Sequence, residues 1–157
     1  MLKTTGIILI VMLLAIQFVH LPQNEGEAFG ENDIGKVVPL PESIQQILKT
    51  SCYDCHSNHT EYPWYSNIQP IGLWLSDHVN EGKKELNFSE FATYKRKRQL
   101  HKLEEIGEQL EKKEMPLKPY LIMHTNATLT LYQATQLNEW AKQRIEFIKN
   151  KVDTVVR

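Results

Sequence analysis

The stretch Ser51–Thr60, "SCYDCHSNHT", contains both cysteines of the chain and two of its six histidines. Cys52 and Cys55 are three residues apart, so on a helix their sulfurs lie on the same side, about one turn apart. His56 follows directly and lies one turn from Cys52. Thiols and an imidazole at this spacing fit three kinds of site: a zinc site, a dithiol redox pair and covalent haem attachment.

The sequence around this stretch has a helical hydrophobic period and no convincing alternation typical of a β-strand. A first helix is predicted to begin near Pro41 and to run into the cysteine motif, and a second covers about 70–84. A third stops before Pro116, and the last begins at Thr130, with Gln133 completing a capping box. The pattern therefore predicts a small all-α domain of about four helices, with apolar faces formed by Ile44, Ile47 and Leu48, by Leu100, Leu103, Ile106 and Leu110, and by Ala134, Leu137, Ala141, Ile145 and Ile148.

The helical context decides among the three kinds of site. A structural zinc site needs four ligands, usually in spaced pairs, and the chain has no second cysteine pair. A thioredoxin-like dithiol requires a βαβ context, and the helical pattern argues against the strands of such a unit. C-x-x-C-H is the spacing of haem attachment, in which two thioethers hold the vinyl groups along one porphyrin edge while the imidazole reaches the iron. The motif predicts haem c at Cys52, Cys55 and His56, with zinc, a redox dithiol and a plain disulfide as the alternatives.

An apolar run of about 18 residues, "TTGIILIVMLLAIQFVHL", occupies residues 4–21. This length is at the lower limit for a transmembrane helix. Lys3 precedes the run and acidic residues follow it, so the short N-terminus is expected in the cytoplasm and the rest of the chain on the exported side. A cleaved signal peptide is the alternative, but no convincing small-x-small cleavage site follows. We therefore expect a single-pass protein of the bacterial inner membrane that faces the periplasm, rather than a soluble periplasmic protein.

The chain divides into three predicted regions. Residues 1–21 form the membrane anchor or signal segment, residues 22–39 form a linker rich in Gly, Pro and acidic residues, and residues 40–157 form the helical domain. The formal net charge of the chain is only −1, which provides no field to hold a polyanion. The composition therefore argues against nucleic acid as a partner.

Several longer stretches carry a family resemblance. They are the C-x-x-C-H motif, "YPWYSNIQP", "DHVNEGKKELNFS" and "EMPLKPY", within residues 41–142. In these stretches the chain resembles the haem-binding domain family of membrane-anchored bacterial proteins related to cytochrome c. The resemblance implies covalent haem, an N-terminal anchor and a cytochrome-c-like helical fold, and it leaves the redox partner protein unidentified.

Met115 is the predicted sixth ligand of the iron. Pro116 disfavours helical backbone at Met115, so the chain is expected to turn into an extended loop there. A Met-Pro step between a helix and the final helix resembles the distal-ligand loop of cytochromes c. His78 and His124 are the alternative ligands, and a core methionine is the structural alternative.

Three aromatic residues, Trp64, Tyr65 and Trp74, are candidates to line the haem, with ordinary core packing as the alternative. The predicted function is that of a membrane-anchored electron-transfer cytochrome, an electron carrier rather than an enzyme. The alternative is a peroxidase-like haem enzyme or a gas or redox sensor, which needs an open or displaceable sixth iron position.

Overall fold

The computed structural model describes residues 2–153, and the protein is all-α in this range, as the sequence predicts. The α-helices are α1 (Leu2–Ile16), α2 (Glu42–Ser51), α3 (Tyr53–His56), α4 (Ile71–Glu85), α5 (Arg96–Lys112), α6 (Lys118–Met123) and α7 (Leu131–Asp153). Short 3₁₀ helices lie at Ile34–Lys36, Trp64–Asn67, Phe88–Thr93 and Thr125–Ala127.

The core lies between α2, α5 and α7, and α5 and α7 form the most extensive helix pair. The predicted apolar faces point into this core, because Leu48, Leu103 and Leu137 are almost completely buried. The four predicted helices correspond to α2 with α3, α4, α5 and α7. The short helix α6 has no counterpart in the prediction, since six residues do not establish a hydrophobic period.

Local signals set the helix ends on either side of α6. The Thr130 amide donates to Oε1 of Gln133 at 2.9 Å, and the Gln133 amide donates to Oγ1 of Thr130 at 3.2 Å, which confirms the capping box. At the end of α5, Lys113 adopts a left-handed conformation with a φ of 56°, and its amide donates to the Leu110 carbonyl. This turn ends α5 and directs the chain into Met115 and Pro116.

The predicted transmembrane helix over residues 4–21 is wrong in its extent, because α1 ends at Ile16. A helix of 15 residues is about 22 Å long, whereas the hydrocarbon core of a bilayer is about 30 Å thick. Within residues 2–153, no helix has both the length and the apolar character needed to cross a membrane. After Ile16 the backbone amides of Gln17, Phe18 and Val19 donate to carbonyls three residues back rather than four. The side chain of Gln17 bonds to the main chain of Gln69, with Nε2 donating to the carbonyl at 3.0 Å and Oε1 accepting from the amide at 2.9 Å.

The segment predicted as a linker, residues 22–39, packs against the cysteine motif. The ring of Tyr53 stacks between Phe29 and Phe88, with centroid distances of 4.8 Å and 5.1 Å. The Tyr53 hydroxyl donates to Oδ2 of the buried Asp33 at 2.7 Å. Ile34 is completely buried beside it. This segment therefore contributes to the core that supports the motif.

Candidate functional site

Two adjoining cavities lie against the cysteine motif, and together we call them the cysteine cavity. One has a volume of about 260 Å³ and the other about 210 Å³. Both are lined by Cys52, His56, Met115 and Pro116. Apolar side chains dominate the smaller of the two: Leu48, Leu86, Phe88, Ile106, Leu110 and Leu137.

His56 is oriented by the main chain at the end of α4. Its Nδ1 lies 2.9 Å from the carbonyl oxygens of both Gly82 and Leu86. Because both partners accept hydrogen bonds, Nδ1 carries the proton and Nε2 keeps the lone pair. Burial lowers the pKa of His56, although the two carbonyl groups act in the opposite direction. The imidazole is therefore neutral near pH 7, which is the form that binds a metal.

Cys52 and Cys55 are both free thiols on the wall that holds His56. Burial, reinforced by the neighbouring Cys55, raises the pKa of Cys52 to about 12. Burial, together with the charge of Asp54, raises the pKa of Cys55 to about 11. Both side chains therefore remain uncharged and compatible with the apolar lining of the cavity.

Gly82 allows α4 to approach the motif closely. A Cβ atom at this position would lie 2.6 Å from the Cys55 carbonyl oxygen and 3.1 Å from the Cys55 Cβ. No side chain fits in that space, so only glycine at this position allows α3 and α4 to lie this close together. The same close approach allows the Gly82 carbonyl to reach His56.

The loop that follows the motif is held by polar contacts from two distant segments. The Gly26 amide donates to the Asn58 carbonyl at 2.7 Å, and a Cβ at Gly26 would lie 2.8 Å from that oxygen. Oγ of Ser89 accepts from the Asn58 amide at 3.0 Å. Asn24 donates from Nδ2 to the Ser57 carbonyl at 3.0 Å and to Oγ1 of Thr60 at 2.9 Å. These bonds fix the end of α3, from which His56 projects.

Met115 lies on a different element of the cavity lining, the loop between α5 and α6. It lines both parts of the cysteine cavity, and its side chain is 37% exposed. The left-handed turn at Lys113 directs the chain into Met115 and Pro116, which line the cavity together with residues of α3. We call the part of the lining formed by α3 and α4, which pack against each other, the helical wall, and the part formed by Met115–Leu117 and the start of α6 the loop wall.

Tyr120 and Asp54 connect the two walls. The Tyr120 hydroxyl on α6 donates to Oδ2 of Asp54, between the two cysteines, at 2.6 Å. Burial raises the pKa of Tyr120, and the bond to the Asp54 carboxylate raises it further. The phenol therefore keeps its proton and serves as a donor.

A buried cation lies next to the apolar part of the cavity. Lys102 on α5 is 8% exposed and pairs with Glu105 at 2.5 Å and with Glu85 at 3.5 Å. Two carboxylates neutralise this charge, which reduces the cost of burying it. In the described part of the chain, no group of three or more His, Cys, Asp or Glu side chains is arranged to hold a metal ion, so the zinc alternative gains no support.

The structure brings some of the predicted site residues together and separates others. His78 lines the cysteine cavity with Cys52, Cys55, His56 and Met115, and its Nδ1 lies 2.9 Å from the Trp74 carbonyl oxygen. Trp64, Tyr65, Trp74 and His124 instead line a second cavity of about 290 Å³, which we call the aromatic cavity. Tyr120 lines both cavities, and its ring stacks on His124 with the centroids 4.1 Å apart.

Three residues of the site were not identified from the sequence: Gly82, Tyr120 and Lys102. An isolated glycine within a helical pattern is unfavourable relative to alanine, so Gly82 was a detectable exception in the predicted helix over residues 70–84. Tyr120 lies in the distinctive stretch "EMPLKPY", but nothing in that stretch identifies Asp54 as its partner. Lys102 belongs to a charged helix whose pattern does not distinguish it from its exposed neighbours.

Comparison with known proteins gives one match. The model of a family described as a haem-binding domain matches residues 11–143, most of the chain. No curated protein and no solved structure matches it.

Proposed function

The chain belongs to the haem-binding domain family, and from this we propose that it carries haem c, bound through Cys52, Cys55 and His56, and transfers electrons at a membrane. One observation carries the covalent assignment: both thiols and the imidazole of the motif line the same cavity. Haem bound there supplies an iron that exchanges one electron between its ferric and ferrous states.

The residues around the cysteine cavity fit such a group. The Gly82 and Leu86 carbonyls fix the His56 proton on Nδ1, which leaves Nε2 to coordinate iron. The neutral thiols of Cys52 and Cys55 lie on the same wall. Apolar side chains of α2, α5 and α7 line the smaller part of the cavity and would keep water away from a macrocycle.

Met115 is our proposed sixth ligand. It lines the same cavity as His56, on the loop wall, and a thioether is a soft ligand suited to ferrous iron. Ligation by His and Met raises the reduction potential relative to two histidines, which suits an electron carrier. Of the two alternative ligands, His78 shares this cavity and His124 lies in the aromatic cavity.

A second candidate function has one observation in its favour. Met115 is 37% exposed and lies on a loop, so a small ligand can displace it at low cost. A haem site with a displaceable sixth position supports gas or redox sensing, or peroxidase-like chemistry. Carbon monoxide separates the two functions, because an electron carrier with firmly bound Met115 does not take it up.

Membrane attachment is the remaining part of the proposal. The side chains of Ile7–Leu14 on α1 are between 53% and 62% exposed, and all of them are apolar. We propose that α1 embeds in the inner membrane and holds the haem-binding domain on its periplasmic side, where a redox partner protein exchanges electrons with it.

Acid–acetone extraction tests the covalent link. The haem should remain with the denatured protein, because thioether bonds survive unfolding. The double variant Cys52→Ala/Cys55→Ala should lose it, whereas Ser51→Ala, at a buried residue of the same cavity, should keep it. Transfer of the haem of the natural protein into the organic phase would show that the attachment is not covalent.

A further inference from the structure

An uncharged apolar face surrounds the aromatic cavity. Residues 62–76 contain no Asp, Glu, Lys or Arg. Three side chains around the cavity are well exposed for their type: Trp64 is 75% exposed, Ile71 44% and Met123 57%. Trp74, at 41%, completes what we call the apolar face. Exposed apolar side chains grouped in this way indicate an interaction site for a protein, a membrane or a ligand.

The apolar face is fixed next to the end of α1. Gln17 and Gln69 exchange two hydrogen bonds, and Nε2 of Gln69 also donates to the Val19 carbonyl at 2.9 Å. Gln69 is only 8% exposed and precedes Ile71 by two residues. The chain thus leaves α1 directly beside the apolar face, and these three bonds hold the two parts together.

The chemistry of α1 identifies the occupant of the face. A helix that is apolar on all sides belongs in a protein core or in lipid, and the side chains of Ile7–Leu14 have no core around them. A lipid surface that takes up α1 also lies against whatever is fixed at its end. Tryptophan suits this position, because its ring is apolar and its N–H is polar, and it is enriched at membrane interfaces.

We propose that the apolar face docks on the lipid surface into which α1 inserts, so that the domain lies on the membrane with the aromatic cavity towards the lipid headgroups. This inference rests on the membrane attachment proposed above. Docking of the apolar face fixes the orientation of the domain relative to the membrane. An apolar helix followed by a flexible tether would leave that orientation free.

Photolabelling of the full chain tests the docking. The haem-loaded protein is reconstituted in vesicles of phosphatidylethanolamine and phosphatidylglycerol that contain a lipid with a diazirine near its headgroup, and the labelled peptides are identified by mass spectrometry. Peptides with Trp64 and Ile71 should carry several times more label than the peptide with Phe147. Phe147 is a matched control, because it is 37% exposed but lies on α7, which packs on α2 and α5.

Substitutions sharpen the test. Trp64→Glu combined with Ile71→Glu should reduce labelling of the apolar face to the Phe147 level and leave the labelling of α1 unchanged. Phe147→Glu should change neither. An unchanged haem spectrum in each variant shows that the domain is folded.

The outcomes separate the two proposals. Label on α1, with the apolar face at the Phe147 level, overturns the docking and leaves membrane attachment in place. No label on α1 overturns membrane attachment and the docking with it. Protection of the face by a dimer of the vesicle-bound protein, detected by cross-linking, assigns the face to a second copy and overturns docking on lipid.

Discussion

The two walls of the cysteine cavity hold their proposed iron ligands in different ways. On the helical wall, two carbonyl groups at 2.9 Å hold the His56 ring, and Gly82 locks α4 against the motif. On the loop wall, Met115 is 37% exposed and is positioned by a left-handed turn after α5. One ligand is therefore set before any cofactor arrives, whereas the other depends on how a loop closes.

This difference assigns different tasks to the walls. Because the His56 ring is already held in place, its Nε2 has a fixed direction, and the motif can bind only one face of a cofactor. A methionine on a loop adapts to what it contacts, since its side chain is unbranched and flexible. The helical wall should therefore control whether haem is held, and the loop wall should control the potential and the access of small ligands.

Removal of the preset ligand should have the largest effect. We expect His56→Ala to abolish low-spin ligation, because the Gly82 and Leu86 carbonyls hold the proton on Nδ1 of His56 and leave its Nε2 for the iron. Optical spectra of the ferric and ferrous protein check this. A low-spin spectrum identical to that of the natural protein would show that His56 is not a ligand of the iron.

Removal of the loop ligand should open the iron without releasing the haem. Met115→Ala should allow carbon monoxide to bind and should lower the reduction potential, because a thioether favours ferrous iron. His78→Ala and His124→Ala serve as controls and should keep the low-spin spectrum. If Met115→Ala leaves the spectrum unchanged, a histidine is the sixth ligand.

A methyl group at Gly82 should separate α4 from the motif. The added Cβ would lie 2.6 Å from the Cys55 carbonyl oxygen, and such overpacking costs about 1–3 kcal/mol. Gly107→Ala is the matched control on α5, since its Cβ would meet only the end of the Asn138 side chain, and it should gain up to about 1 kcal/mol of helix propensity. Denaturant unfolding measures both variants. Equal stability of the two would mean that α3 and α4 are not in close contact.

Loss of the bond between the walls should have the smallest effect. Tyr120→Phe removes the hydrogen bond to Asp54 and should lower the free energy of unfolding by about 1 kcal/mol. Tyr132→Phe, at a residue that is 70% exposed, should change it by less than about 0.5 kcal/mol. A Tyr120→Phe variant as stable as Tyr132→Phe would show that the walls are held independently.

Much of the domain was predictable because its signals are local. The apolar faces of α2, α5 and α7 repeat with the helical period, and the capping box at Thr130 needs only four consecutive residues. The C-x-x-C-H spacing likewise brings two thiols and an imidazole to one cavity within five consecutive residues, although Cys52 itself lies between α2 and α3 and not on a helix. Haem binding followed from that motif, and the family match supports it.

The sequence by itself thus determined the helices of the domain and the chemistry of the motif, because both depend on residues within a few positions of each other. Only the tertiary structure decided which distant groups complete the site. Three contacts all join residues more than 20 positions apart: the Gly82 and Leu86 carbonyls at His56, the Tyr120–Asp54 bond, and the Gln17–Gln69 contact after the end of α1. A hydrophobic period predicts which face of a helix is buried, but it does not predict which neighbour that face contacts. These long-range contacts could therefore not be predicted from the sequence pattern.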